Sequence, residues 1–290
     1  MVFPRISLRC KLEFQSDTEN TKMLEQFRKL KAHYGRFPDL MCDNYRPLQP
    51  LKGLYGPPDW HKGWEDCGHD HQSPINIDTS KVVNKDYRDL KITFDNQGGL
   101  VTGELENTGH SPTLNIDKSK GTAEITGGPL GDTTYTLNQF HVHFGCENSR
   151  GSEHTLNGKQ FAGQPSSSGN PILGKFANLL PNIIEVGPSK EVDKSDGIRL
   201  MGLLPNNNNN RSNGGNGDYF HYKGSLTTPP CYETVKWLVL KPKLRASNNQ
   251  LGEFRKLKAH YGRFPDLMCD NYRPLQLLKG RKVYAVGNKN

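Results

Sequence analysis

Several features that would place this chain in a common class of protein are missing from its sequence. No hydrophobic run approaches the roughly 20 residues of a membrane-spanning helix, so no membrane span is expected. The six cysteines form no Cys-x-x-Cys pair, which argues against a cysteine-rich zinc site and against a thioredoxin-type redox site. Pro4, Arg5 and Arg9 interrupt the apolar residues at the N-terminus, and no export signal is visible there.

A basic stripe of the kind that binds nucleic acid is also missing, although the net charge is +8. Residues 27–53 and residues 254–280 each carry six Lys or Arg and two Asp, so these two segments hold the whole excess of positive charge. Two separate charged segments are better explained as solvated surfaces. We therefore expect no nucleic-acid partner.

What the chain does have is an internal repeat. Residues 27–53 recur as residues 254–280 with 26 of 27 positions identical, and the only difference is Pro50 against Leu277. Two copies so far apart in the chain cannot stack as a solenoid. We interpret residues 1–53 as a partial duplicate of a domain's C-terminal segment, and residues 54–290 as the domain itself.

The two copies would compete for one place in that domain. We expect the C-terminal copy to occupy it, because its link to the strand at 235–241 is short and its loop-closure entropy is low. The other copy would then expose Phe27, Leu30, Phe37 and Leu40. An exposed apolar segment of this kind favours a swapped dimer.

The pattern between the copies is mostly that of β-strands. Residues 90–95, 135–144 and 235–241 are rich in β-branched and aromatic residues and are bounded by turn residues. A helix is predicted over 172–184, where Pro181 would end or kink it, and a second helix from Asn248 through about residue 261. The Asn- and Gly-rich tract 206–218 is predicted to be a solvated loop. The sequence thus predicts a mostly β fold with short helices.

One strand carries residues suited to bind a metal. His141 and His143 are two positions apart, so both project from the same face of the predicted strand. Two imidazoles at this spacing can reach one zinc ion, and Gln139 on the same face can orient one of them. Alone, this pattern is also that of two half-buried histidines.

Other residues along the chain add acid–base chemistry to this pair. Glu153 follows it closely, and Thr227 and Thr228 precede two prolines. A hydroxyl that donates to a carboxylate must accept a hydrogen bond from its other neighbour, so Thr227 beside Glu153 would select and orient a hydroxide nucleophile. His110 is a residue type that can carry a proton near neutral pH.

Together these motifs resemble the α-carbonic anhydrase family, and the resemblance covers about residues 54–284. Its motifs are YGPPDW (55–60), QSPINI (72–77), NTGHS (107–111), QFHVHFG (139–145), GSEH and FAG (151–163), GSLTTPPCYETVKW (224–237) and NYRPLQLLKGRKV (271–283). The resemblance implies a mostly β fold with a large twisted, antiparallel-dominated sheet and short peripheral helices. It also implies Zn²⁺ as cofactor and the reversible hydration of carbon dioxide to bicarbonate as the reaction.

The resemblance also implies individual roles. His141 and His143 would bind zinc, Glu153 and Thr227 would form a relay, and His110 would shuttle protons. Other roles fall on residues that line or support the site: a polar surround from Gln139, Tyr55 and Thr113, and contacts to substrate from Leu226, Thr228, Val235 and Trp237. Cys67 and Cys231 match the disulfide of the family's secreted members, which implies an extracellular protein.

The chain departs from the family where the third zinc ligand belongs. After FAG the family has a strand of the form E-x-H-x-V-H, whose first histidine is a ligand, whereas this chain reads QPSSSGN over 164–170. Gln164 and Ser166 stand at the positions of the glutamate and that histidine, and Pro165 is unsuited to a central strand. We therefore expect an internal deletion near 164–171 that has removed this strand and the one after it.

Three hypotheses follow from this departure. The chain is a zinc-dependent carbonic anhydrase, a catalytically impaired relative that serves in binding or in a biomineral matrix, or an incomplete copy of an active tandem enzyme. The Asn- and Gly-rich tract resembles, at shorter length, the insertions of nacrein-type matrix members and favours the second. His154 is the nearest substitute ligand in sequence, but in the family pattern it lies beside the relay.

Overall fold

The structure, a computed structural model, describes residues 8–15, 56–87, 90–96, 99–160, 169–200, 218–241, 246–259 and 267–287. Tyr55, Gln164, Ser166, residues 206–217 of the predicted loop and the N-terminal copy 27–53 lie outside these residues. The polar role of Tyr55, the course of the chain over 164–168 and the swapped dimer therefore stay predictions.

Strands outnumber helices among the described residues, as the sequence predicts. The strands are β1 (Leu8–Gln15), β2 (Asn76–Ile77), β3 (Val83–Asn84), β4 (Leu90–Phe94), β5 (Leu100–Val101), β6 (Gly103–Asn107), β7 (Pro112–Ile116), β8 (Ala123–Gly127), β9 (Tyr135–Phe144), β10 (Thr155–Leu156), β11 (Lys159–Gln160), β12 (Ser189–Val192), β13 (Ile198–Arg199), β14 (Tyr219–Gly224), β15 (Val235–Leu240) and β16 (Tyr284–Val286).

Two antiparallel-dominated sheets organise these strands. The larger has the order β12-β6-β7-β9-β8-β4, with β1 also paired to β9, and the smaller has the order β15-β14-β16-β3. A short three-stranded sheet, β11-β10-β2, and the strand pair β13-β5 complete the pattern. The expected mostly β fold is confirmed, and β9, the longest strand, lies inside the larger sheet.

The two edges of β9 are covered by different strands. Thr113–Asn115 of β7 pair with His141–Gln139, and β1 pairs antiparallel along residues 136–144. Because both strands pair with residues 139–141, they must lie on opposite edges of β9. Sequence analysis did not predict β1, since Pro4 and the charged residues of this segment interrupt its apolar pattern.

Two short helices flank the sheets. α1 (Pro171–Leu179) begins at Asn170, whose side chain accepts hydrogen bonds from the amides of Ile172 and Leu173, and a 3₁₀ turn over Leu180–Ile183 carries Pro181. α2 (Asn248–Phe254) begins with a capping box between Ser247 and Gln250.

The second helix is shorter than predicted. The expectation of a helix to about residue 261 is wrong, because α2 ends at Phe254. Beyond it, Arg255 donates to the Gly145 carbonyl, and the Leu257 carbonyl accepts from the amide of Met268. Leu257 is fully buried, so packing into the domain outweighs the helical propensity of this segment.

The C-terminal copy of the repeat is packed against the domain. Phe254 and Leu257 are fully buried, Met268 is 1% exposed, and Phe254 stacks on Phe176 of α1 at 5.8 Å between ring centroids. Full burial of each such side chain contributes about 1.5–3 kcal/mol to stability.

Among the residues that the structure describes, no helix has the length and apolar character of a membrane span.

Candidate functional site

The two histidines of β9 lie together in a buried position. His141 is 7% exposed and His143 is 5% exposed, and their ring centroids are 5.1 Å apart. Their spacing along the strand places both on one face, as the sequence predicts. Thr113 stands directly opposite His141 in register on β7, is 4% exposed, and its hydroxyl lies 2.9 Å from that of Ser111.

The orientation of His143 is fixed by the C-terminal copy of the repeat. Its Nδ1 lies 2.5 Å from the carbonyl oxygen of Asn271, to which it donates. An imidazole whose Nδ1 donates carries its acceptor lone pair on Nε2, the atom that a metal would take. The Nε2 of His143 lies 3.6 Å from Oε2 of Glu153.

Asn271 holds this arrangement through its side chain as well. Its Oδ1 accepts from the amide of Phe144 at 2.7 Å, and its Nδ2 donates to the carbonyls of His110 and Val142 at 2.9 and 3.1 Å. Sequence reasoning did not assign Asn271 a role. The signal was the NYRP motif, but a contact made by a backbone carbonyl leaves no residue pattern to find.

Glu153 and Thr227 are hydrogen-bonded to each other deep in the protein. The Thr227 hydroxyl donates to Oε2 of Glu153 at 3.1 Å, and the two residues are 2% and 1% exposed. The donation uses the only proton of the hydroxyl, so the oxygen of Thr227 has only acceptor positions left for any other neighbour. The structure thus brings together the pair that the sequence singles out.

A buried arginine offsets part of the charge of Glu153. Arg273 is 3% exposed and donates to Oε1 of Gln72 at 2.7 Å and to the carbonyls of Ser73 and Cys67 at 3.0 and 3.1 Å. Burial lowers the pKa of Arg273 to about 10, and the charge of Glu153 counteracts part of this shift. Arg273 therefore stays protonated at neutral pH.

The other predicted site residues lie at different depths. His110 and Gln139 are half-buried, and the amide of His110 donates to the Thr108 hydroxyl at 3.3 Å. Leu226 and Val235 are half-buried, whereas Thr228 is exposed. Trp237 is 1% exposed and donates from Nε1 to the Ser225 carbonyl at 3.1 Å, which fixes the segment just before Leu226 and Thr227.

His154 is engaged elsewhere. Its Nε2 lies 2.6 Å from the hydroxyl of Tyr222, and its ring packs edge-on against Trp237 at 4.7 Å. The Tyr222 hydroxyl also lies 2.8 Å from that of Ser73. His154 thus belongs to a buried polar network, and nothing here favours it as a substitute metal ligand.

Two disulfides join distant parts of the chain. Cys67 and Cys231 are bonded, so the expected pairing is confirmed. Cys146 and Cys269 form a second disulfide that sequence analysis did not predict, because spacing alone does not determine connectivity. This second bond joins the end of the strand carrying His143 to the segment carrying Asn271.

These residues fit zinc only in part. The imidazoles of His141 and His143 are suitable ligands, and the carbonyl of Asn271 sets the tautomer that zinc requires of His143. However, the described residues contain no group of three His, Cys, Asp or Glu able to hold a metal ion. The β1 residues in register with His141 and His143 are Lys11 and Arg9, neither of which is a zinc ligand type.

The chain is similar in sequence to known proteins. A sequence model of eukaryotic-type carbonic anhydrase matches residues 55–165 and 163–287, and the two stretches meet where the ligand strand was expected. Carbonic anhydrase 1 of Mus musculus is 34% identical over 251 residues, which are 79% of this chain and 95% of that protein. A putative carbonic anhydrase of Acropora millepora is 47% identical over 117 residues, 40% of this chain and 79% of that protein. The chain therefore belongs to the α-carbonic anhydrase family.

Proposed function

We propose that this protein catalyses the reversible hydration of carbon dioxide to bicarbonate at the site of His141, His143, Glu153 and Thr227, at a rate far below that of an intact family member. The observation that carries the proposal is the buried hydrogen bond from Thr227 to Glu153. Family membership supports the same reaction.

The relay pair would orient the nucleophile. The Thr227 hydroxyl donates its only proton to Glu153, so its oxygen would accept a hydrogen bond from the nucleophile. This bond would direct the lone pair of the nucleophile toward the substrate. His141 and His143 would hold zinc, which would lower the pKa of water to about 7 and so make the nucleophile available near neutrality. His110 at the half-buried rim would pass the released proton to solvent.

The neighbouring residues would shape the space for carbon dioxide. Leu226 and Val235 are apolar and half-buried, and Trp237 supports the segment before Leu226 from behind. Thr228 is exposed and would meet bicarbonate as it leaves. Thr113 and Gln139 share the face of His141 on paired strands and would supply its polar surround.

Two imidazoles hold zinc less tightly than three. Structural zinc sites with four protein ligands contribute about 10–16 kcal/mol, or roughly 3–4 kcal/mol per ligand. The loss of one ligand then weakens binding on the order of 10²- to 10³-fold. At a given zinc concentration, a smaller fraction of the protein then carries zinc, and for this reason we propose a reduced rate of hydration.

We further propose that the protein works outside the cell. The disulfides Cys67–Cys231 and Cys146–Cys269 support an oxidising compartment, because such bonds are rare in reducing ones.

A second candidate function is binding within a biomineral matrix without turnover. What favours it is that the described residues hold no group of three metal-ligating side chains. The Asn- and Gly-rich tract 206–218 is consistent with such a role.

The experiment that tests the enzyme proposal is Thr227→Val with Thr93→Val as its matched control. Thr93 is exposed on β4 and is not one of the proposed site residues. We expect T227V to lower carbon dioxide hydration about 10²-fold or more, because the relay is lost, while zinc affinity stays within about twofold. T93V should leave both unchanged. If the parent chain with zinc hydrates carbon dioxide no faster than zinc in buffer, the proposal is wrong and the matrix function is favoured.

A further inference from the structure

The C-terminal copy of the repeat, residues 254–280, docks through a small set of polar anchors. Arg255 donates to the Gly145 carbonyl and to Oδ1 of Asn148, both at 2.9 Å. Asp270 accepts from Arg150 at 2.9 Å and from the amide of Cys146 at 3.1 Å. We call the surface that receives these residues, formed by residues 144–150 with Gln72 and Ser73, the repeat slot.

Further polar anchors lie in the C-terminal half of this copy. Cys269 is disulfide-bonded to Cys146, and Asn271 bonds to β9 through both its backbone and its side chain. Arg273 donates to Gln72 and to the Ser73 carbonyl. The slot therefore recognises an arginine, a cysteine, an aspartate, an asparagine and a second arginine at fixed spacing.

The N-terminal copy carries every one of these anchors. With the same spacing it has Arg28, Cys42, Asp43, Asn44 and Arg46, at the positions of Arg255, Cys269, Asp270, Asn271 and Arg273. The buried apolar residues of the docked copy, Phe254, Leu257 and Met268, are matched by Phe27, Leu30 and Met41.

The single difference between the copies lies at a position that is exposed in the docked copy. Leu277, which replaces Pro50, has an exposed fraction of 74%, the largest among the exposed large hydrophobic residues of the described chain. Its carbonyl, which proline also has, accepts from Arg281 at 2.9 Å. The two copies should therefore dock with nearly equal affinity.

The N-terminal copy is also tethered close to the slot. Pro57 and Pro58 line the same cleft as Leu277 and Lys279, so the end of the docked copy lies near the start of the described domain. Only residues 54–55 separate Gly53 from Gly56, and this link spans about 10 Å. A tether of this length gives an effective concentration on the order of millimolar.

We propose that residues 27–53 are an alternative occupant of the repeat slot of their own chain, which they enter by thiol–disulfide exchange at Cys146. The Cys42 thiolate attacks Sγ of Cys146, the Cys42–Cys146 bond forms, and the Cys146–Cys269 bond breaks. Cys269 leaves as a thiolate and takes up the proton that Cys42 gave to solvent. The exchange is redox-neutral and needs no oxidant.

The other cysteines define the competing outcomes. Cys67 and Cys231 are bonded to each other, so Cys10 and Cys42 are the two cysteines outside the pairs that the structure shows. A Cys10–Cys42 bond would remove Cys42 from exchange. A swapped dimer would instead join Cys42 of one chain to Cys146 of a second copy; the short tether favours the intramolecular bond.

The test is disulfide mapping of the full chain by mass spectrometry of unreduced peptides, after separation of monomer from dimer. The wild-type chain is equilibrated in a glutathione buffer, and Cys269→Ser is compared with the double variant Cys42→Ser/Cys269→Ser. We expect a Cys42–Cys146 peptide in the wild-type monomer. In C269S it should become the main disulfide of Cys146, whereas the double variant should lose it, because Cys42 is absent.

Several results would overturn the proposal. They are a Cys146 that stays a free thiol or pairs only with Cys10 in C269S, a Cys42–Cys146 peptide found only in the dimer, and its complete absence from the equilibrated wild-type monomer. Because the wild-type arm contains no substitution, the proposal remains testable even if C269S does not fold. Leu277→Pro, which makes the copies identical, should leave the wild-type ratio unchanged, and a marked shift would contradict the equivalence of the copies.

Discussion

Asn271 lies outside the strands of the candidate site, and its hydrogen bonds hold part of that site in place. It accepts from Nδ1 of His143 and from the amide of Phe144, and it donates to the carbonyls of His110 and Val142. These bonds fix the imidazole of His143, which we propose as a zinc ligand, and the segment of His110, which we propose as the proton carrier. Groups that orient a metal ligand in this way commonly contribute 10- to 100-fold to metal affinity.

We therefore predict that Asn271→Ala weakens zinc binding about 10- to 100-fold, measured by competition with a chelator, because the loss of the three side-chain hydrogen bonds lets the backbone carbonyl that orients His143 move. The matched control is Asn44→Ala, the same substitution in the other copy of the repeat. Both are made in a Cys42→Ser chain, so that residues 27–53 cannot take over the disulfide. N44A should leave zinc affinity within about twofold; an equal loss in both variants would show that Asn271 does not act through His143.

At the scale of single residues, the side-chain chemistry of the candidate site could be predicted from the sequence, but its backbone contacts could not. The spacing of His141 and His143, and the pairing of a carboxylate with Thr227, follow from rules about strands and hydroxyl donors. The carbonyl of Asn271 and the Cys146–Cys269 bond depend on how distant segments pack, which neither composition nor spacing encodes.

Among the elements, β14 carries a buried histidine that should make folding depend on pH. His221 is 6% exposed, its Nδ1 donates to the Trp237 carbonyl at 3.0 Å, and its ring stacks on Tyr284. Burial lowers the pKa of His221, and the charges of Lys236 and Lys223 lower it further, while the bond to Trp237 works in the opposite direction.

A histidine with a lowered pKa stabilises the fold only while it is neutral. The unfolded chain takes up a proton as the pH falls through about 6.5, whereas the folded protein does so only at lower pH. We predict that the free energy of unfolding falls as the pH is lowered from about 7 toward 5, measured by denaturant titration. His221→Gln should reduce this slope and the exposed control His61→Gln should not; an unchanged slope in H221Q would contradict the assignment.

The elements themselves were largely predictable where one local signal dominated. Residues 135–144 were expected as a strand and form β9, and the first helix begins at a capping asparagine before a proline. The second helix ends early because Arg255 and Leu257 are taken into the domain. β1 was not predicted, since its pairing with β9 is set by an open sheet edge and not by its own pattern.

At the scale of the whole molecule, the pairing of β1 with β9 determines how a third zinc ligand could be restored. A histidine on a neighbouring strand shares a face with His141 and His143 only if it stands opposite them, and both edges of β9 are taken, by β7 and by β1. A ligand strand would therefore have to replace β1.

We predict that Ser166→His alone restores little zinc binding, because Pro165 disfavours the central strand needed to aim it. Replacement of residues 164–170 by a complete E-x-H-x-V-H strand and the strand that follows should restore zinc affinity and carbon dioxide hydration together. The same insertion with glutamine at the ligand histidine is the matched control. Recovery in that control, or full recovery in S166H, would contradict the account.

The central claim is that this chain keeps the relay of a carbonic anhydrase but holds only two of its zinc ligands. The most direct test is the zinc affinity and stoichiometry of the unmodified 290-residue chain, measured with carbon dioxide hydration on the same sample and beside an intact family member. The account predicts zinc binding on the order of 10²- to 10³-fold weaker than in the intact protein, with hydration reduced in parallel. Tight binding of one zinc per chain with full hydration activity would contradict it.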